Sequence, residues 1–177
     1  MIDDLLIVDA HEDIAFHLNF FDRDFVNPEK PCMITLPGLK EGNVRLVFNT
    51  VFVDPKHKPE KTVESALGQL NTYEKIYAEH ADEIYRVNTR SDLDKVGDDP
   101  RIGFLTLMEG ADPIETPDKL NEFYEKGVRI IGLAWNDKNQ YASGNLTKDG
   151  LSEAGVELIK KMNELRITLD LSHLNEK

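Results

Sequence analysis

Cysteine is almost missing from this chain of 177 residues, where Cys32 stands alone. That excludes an internal disulfide framework and a thiolate metal cage. Cys32 reads as a buried or half-buried apolar residue, because no histidine can be placed beside it for a nucleophilic role. No apolar run approaches the ~18 residues of a membrane span. Positive charge is also scarce. With 21 Lys and Arg against 33 Asp and Glu, the formal charge is −12. Nucleic-acid binding needs a basic footprint, so a phosphate-backbone partner is excluded and an anionic membrane surface disfavoured. The start, Met1-Ile2-Asp3-Asp4, lacks the basic and apolar regions of a signal peptide, which makes the cytoplasm the expected location. Low-complexity segments and composition shifts are absent. What remains, 40% hydrophobic and 31% charged residues, describes one ordinary globular domain with a real core.

Apolar strand-like runs recur along that domain, and helical patterns separate most of them. The first run, Leu5 to Ala10, leads straight into His11-Glu12-Asp13 and reads as a buried strand. A second strand is expected over Val44 to Val53, and a third over Ile102 to Met108 with Glu109-Gly110 directly after it. The fourth covers Val128 to Ala134 and the fifth Ile167 to Leu171, ending in Ser172-His173. Between them, Val63, Ala66, Leu67, Leu70, Tyr73, Ile76 and Tyr77 keep helical spacing within Glu60 to Glu83. A short helix starts near Ser91. Thr116-Pro117-Asp118 opens another that stops at Gly127. Ser152 opens the last, with Val156, Ile159, Met162 and Leu165 facing inward. Asn136 to Gly150 is a polar loop without a period, and Phe16 to Asn43 is long enough to hold a small hairpin or helix.

Strands separated by helices indicate parallel β/α units. The chemistry sits at their ends: His11 and Asp13 after strand one, Glu109 after strand three, Trp135-Asn136 after strand four, His173 after strand five. A strand alternates faces with period two, so His11 and Asp13 share a side. An imidazole and a carboxylate there suit a divalent metal of the zinc type. Equally, they could cap the strand and bond to backbone. A doubly wound sheet would carry a glycine-rich phosphate turn after strand one, and none is present. The expected fold is therefore an α/β, TIM-type (β/α) barrel, whose active site is built at the carboxyl ends of its strands.

These residues resemble the membrane (renal) dipeptidase family of zinc metallopeptidases, relatives of the metal-dependent amidohydrolases. Asp9-Ala10-His11-Glu12-Asp13 is similar to the family's Asp-Gly-His-Asn-Asp motif, and Leu36-Pro37-Gly38-Leu39-Lys40-Glu41-Gly42 to its Leu-Pro-Arg-Leu-x-x-Gly segment. Met108-Glu109-Gly110, Gly127-Val128-Arg129, Trp135-Asn136, Gly150-Leu151-Ser152 and Asp170-Leu171-Ser172-His173 follow in the family's order. The resemblance implies a binuclear zinc site. In it His11 and Asp13 would bind the first ion, Glu109 would bridge both as the catalytic carboxylate, and His173 would bind the second. It also implies hydrolysis of a dipeptide by a metal-bound hydroxide, with Trp135 and Asn136 contacting substrate. His17, His57 and His80 match no ligand position; His57 and His80 read as surface residues.

Two departures from the pattern matter. Mammalian members carry a substrate-contacting histidine where this chain has Trp135, which leaves substrate preference open. The family's remaining parts are also missing after strand five: a second histidine for the second ion, an arginine for the substrate carboxylate and an acid-base aspartate. Residues 1–177 are thus expected to form the N-terminal portion of a single dipeptidase-like barrel domain, about five of its eight β/α units. Such a chain should hold at most one ion tightly and show little dipeptidase activity. Its open strand edges should favour a homo-oligomer or association with the missing barrel half. Two other readings stay open: an amidohydrolase acting on a lactam, lactone or ester, and an inactive metal-binding fragment that associates with another chain.

Overall fold

The computed structural model describes residues 5–29, 31–54, 56 and 59–177. Met1 to Asp4 and His57 lie outside the described residues. The chain divides into two units, Met1–Thr50 with Gly68–Thr106, and Val51–Leu67 with Leu107–Lys177.

The first unit contains β1 (Ile7–Glu12), α1 (Ile14–Phe20), α2 (Leu36–Glu41) and most of β2 (Val44–Phe52). It continues with the later turns of α3 (Pro59–Glu79), then β3 (Ile84–Arg86), α4 (Arg90–Leu93) and the start of β4 (Ile102–Glu109). β1 pairs with β2 in parallel, and β3 with β4. The β-branched and aromatic residues of β2 make it a good central strand. Leu46 and Val47 of β2 are buried, as are Leu70, Tyr73 and Ile76 of α3, Ile84, and Phe104 of β4. The Tyr73 hydroxyl ties three elements together. It donates to Thr50 O at 2.8 Å and accepts from Ala15 N at 3.2 Å.

In the second unit the end of β4 runs beside β5 (Val128–Gly132), with Gly110 N donating to Gly132 O and Ala111 N to Leu133 O, both at 3.1 Å. A 3-10 turn (Pro117–Lys119) and α5 (Leu120–Glu125) lead into β5, and α6 (Glu153–Leu165) leads into β6 (Thr168–Asp170). β5 and β6 are again parallel. This alternation of parallel strands and helices is the β/α repeat of a TIM-type barrel in incomplete form, as the sequence predicts.

Four details differ from expectation. α3 stops at Glu79, short of the Glu83 expected, and a short strand, β3, follows in a stretch to which the sequence assigns no element. β1 is not buried: Leu5, Leu6 and Val8 are 59, 53 and 44% exposed, because β1 ends the strand order and has only β2 beside it. On α6 the inward residues are Gly155, Leu158 and Met162, while Val156 is 42% exposed. Gly155 sets that rotation. A Cβ there would stand 2.1 Å from Tyr141 O, so the glycine itself forms the contact face. His80 is half-buried rather than at the surface, with Nδ1 3.5 Å from Glu83 Oε1.

Side-chain caps support α2 and α4, whereas Thr116, before the 3-10 turn, makes no capping bond. Thr89 is extended and accepts from Asp92 N, while the Asp92 carboxylate accepts from Thr89 N, a reciprocal capping box on the four-residue α4. Burial raises the Asp92 carboxyl, but hydrogen bonds from the Thr89 hydroxyl, Lys95 and the backbone of Asn88 and Thr89 outweigh it and hold the group at about 2. A depressed carboxyl stabilises the fold above its unfolded value of 3.8 and loses that contribution as pH falls toward about 2. Asp92→Asn should therefore cost about 1 kcal/mol at neutral pH. The difference should vanish in denaturant titrations carried down to about pH 2; a constant difference would contradict the capping account.

Candidate metal centre

His11 lies on the last turn of β1, and Asp13 occupies the N-cap position of α1. An N-cap carboxylate ordinarily sits on extended backbone and takes the N–H of the second or third helical residue. Thr35, Thr89 and Ser152 do this here, each extended and each accepting from the third amide of its helix. Asp13 does not. Its backbone is at φ −80 and ψ 42, and its side chain makes no capping bond. Oδ2 lies 3.5 Å from His11 Nε2, and Oδ1 is buried with no hydrogen-bond partner. The reading in which His11 and Asp13 merely cap and bond to backbone thus loses its main support.

A second carboxyl nearby is pushed toward its protonated form. Burial, a hydrogen bond with Asp9 and the charges of Asp9 and Asp13 push the Glu12 carboxyl up to about 8, with His11 opposing. Beside this strand end lies a cavity of about 450 Å³, bordered by His11 and Asp13 and walled by Ile14, Leu18, Phe25 and Ile34. Cys32, half-buried as expected, also borders it and donates to Ile34 O at 3.1 Å.

The second unit brings together another pair. Glu109, whose side chain is 12% exposed at the end of β4, has Oε1 3.1 Å from His173 Nε2. The other nitrogen of His173, Nδ1, is 3.1 Å from Asn136 Oδ1. When Nδ1–H donates to that oxygen, the Nε2 lone pair is left for a ligand, the outer-shell arrangement usual for metal-binding histidines. His173 itself adopts the left-handed region at φ 66, uncommon for a residue with a Cβ and concentrated at functional positions. Trp135 packs edge-on against Phe52, centroids 5.2 Å apart, and lies 6.2 Å from the His173 ring.

The loop that carries Trp135 and Asn136 is held by residues the sequence reading passed over. Asn139 Nδ2 donates to Leu133 O at 2.7 Å and Asp112 Oδ2 at 3.0 Å, while its oxygen accepts from Tyr141 N and Ala142 N. Burial raises the Asp112 carboxyl, and the Asn139 bond opposes it. Gly144 lets the loop fold back, since a Cβ there would stand 1.9 Å from Trp135 O. The turn composition around Ser143-Gly144-Asn145 was the available signal, but it does not reveal what the turn packs against.

The two pairs offer the nitrogen and oxygen donors that zinc-type ions take, and the buried Asp13 oxygen is an acceptor without a donor. Among the described residues no helix is long and apolar enough to cross a membrane.

The model of the membrane dipeptidase family, peptidase family M19, matches residues 1–177, and the chain belongs to that family. A dipeptidase of Schizosaccharomyces pombe is 26% identical, over 97% of this chain and 47% of its own length. Dipeptidase verJ of Clonostachys rogersoniana is 23% identical, over 98% and 50%. The chain spans about half the length of the curated relatives it matches. Dipeptidase AC, a solved M19 metallopeptidase, superposes with a TM-score of 0.90 at 25% identity, covering 98% of this chain and 58% of its own. A metallopeptidase from Rhodobacter sphaeroides, solved with a phosphinate mimic of the dipeptide L-Ala-D-Ala, shares the fold at a TM-score of 0.90 and 23% identity, covering 98% and 60%.

Gly144→Ala should force Trp135 and Asn136 out of place at a cost of about 1–3 kcal/mol, the usual range for overpacking. Trp135 is the only tryptophan, so its fluorescence maximum reports the displacement directly. An unchanged spectrum and an unchanged unfolding midpoint would show that the loop yields without disturbing the site.

Proposed function

We propose that this chain forms part of a zinc-dependent dipeptidase, in which His11 and Asp13 hold one ion, His173 holds a second and Glu109 bridges them. Asp13 carries the reading: a carboxylate at a helix N-cap, released from capping, with one buried oxygen unpartnered. The pairing of Glu109 with His173, itself backed by Asn136, supports the second ligand group. When bound, ions of this type supply Lewis acidity, which lowers the pKa of water to roughly 7 and polarises a peptide carbonyl. Glu109, with two carboxylate oxygens, would help to hold both ions. Asn136 keeps the His173 ring in the useful tautomer. Trp135, braced by Phe52, forms a wall against the substrate, and the cavity beside His11 and Asp13 takes one substrate side chain.

A different substrate is the second reading, and Trp135 is the residue that favours it. An indole can stack but cannot carry a charge or exchange a proton, so a lactam, lactone or ester could replace the dipeptide. These 177 residues span about half the length of the matched relatives.

Zinc titration of the 177-residue chain should show one tight ion, weakened at least tenfold by Asp13→Asn or Glu109→Gln, consistent with the loss of a ligand. The same substitutions in a complete enzyme should abolish hydrolysis of Ala-Ala. In that enzyme Trp135→His should shift preference among dipeptides, lactams and esters without changing metal content. Zinc binding indifferent to both carboxylates would overturn the ligand assignment.

A further inference from the structure

We propose that Tyr73 is a positioning residue for the metal centre: its hydroxyl takes the α1 amide that would otherwise bind Asp13, and so leaves the Asp13 carboxylate free for a cation. This rests on the reading of Asp13 as a ligand. The first amides of a helix have no partner within it and draw the nearest acceptor, which at an N-cap aspartate is its own side chain. Ala15 is the second residue of α1, so its amide is one of the two such a side chain takes. Here that amide donates instead to Tyr73 Oη at 3.2 Å. Tyr73 comes from α3, 58 positions along the chain, and is fully buried. Its own proton goes to Thr50 O at 2.8 Å, which aims the oxygen's lone pairs at the helix end.

The chain supplies its own controls. At Thr35, Thr89 and Ser152 the N-cap side chain accepts the third amide of its helix, while Thr116, at the 3-10 turn, makes no capping bond. At Asp13, where the Ala15 amide goes to Tyr73, the N-cap side chain makes no capping bond and keeps a buried oxygen without a donor. Satisfying the helix from outside removes the competition between capping and metal binding.

Tyr73→Phe removes the oxygen and keeps the ring. In the variant the Asp13 carboxylate should rotate onto the Ala15 amide, visible in its metal-free crystal structure. Zinc affinity of the 177-residue chain should fall about tenfold, as for other outer-shell changes. In an Asp13→Asn background the same change should alter zinc affinity no further. A merely structural Tyr73 would weaken both backgrounds alike. Replacement by p-aminophenylalanine keeps a donor for Thr50 O and the packing, but offers Ala15 a poorer acceptor. It should bind zinc as weakly as the Phe variant while unfolding closer to the parent, which keeps the test open if Phe does not fold. An unmoved Asp13 side chain, or parental zinc affinity in these variants, would overturn the proposal. Absence of zinc binding in the parent itself would instead overturn the ligand reading, and the crystallographic arm would still decide the role of Tyr73.

Discussion

Buried amides and carbonyls must be paired, and much of the described architecture follows from which groups meet that demand. An unpaired backbone group inside a protein costs about 1–3 kcal/mol, comparable to a sizeable part of total stability. At α1 the demand is met by a phenol from α3, and the same phenol also serves the end of β2. The bond thus does two things at once. It locks three elements of the first unit, and it decides that the carboxylate of Asp13 has no structural employment.

The second unit solves the same problem with side-chain amides. Asn139 meets Leu133 O, Tyr141 N and Ala142 N, and Ile114 O accepts from both Gln140 and Tyr141. The loop after β5 has no regular structure of its own, yet Tyr141, Ala142 and Ser143 are buried. Such a loop is rigid without being a helix or strand. It can hold Trp135 and Asn136 in fixed places, the requirement for a side chain that orients His173 through a single 3.1 Å bond. Function on loops needs this kind of support.

The repeat of strands and helices was legible because it rests on local patterns: β-branched runs, helical spacing, Thr and Ser caps. The places of His11, Asp13, Glu109 and His173 at or just beyond strand ends were legible because they follow such runs directly. Tyr73 was readable only as an inward residue of α3; nothing in its neighbourhood says that its hydroxyl ends at Ala15. The face of α6 was misread for a related reason. Gly155 looks like a gap in an apolar stripe based on Val156 and Ile159, but a missing side chain is what lets the helix touch Tyr141 O. Partners distant in sequence, and contacts made by having no side chain, leave no local trace.

Electrostatics at the end of β1 completes the selection of Asp13. Asp9, Glu12 and Asp13 put three carboxyl groups within five residues, an arrangement that self-repulsion opposes. Each is treated differently. Asp9 accepts the backbone N–H of His11 at 3.3 Å and the proton of Glu12. Burial, the hydrogen bond with Asp9 and the charges of Asp9 and Asp13 push the Glu12 carboxyl up to about 8. Asp13 lies 3.5 Å from an imidazole and keeps one oxygen without a donor. Composition alone would rank the three as equivalent ligands. Their hydrogen bonds leave Asp13 with a buried oxygen not already engaged, at the helix start whose amide goes to Tyr73.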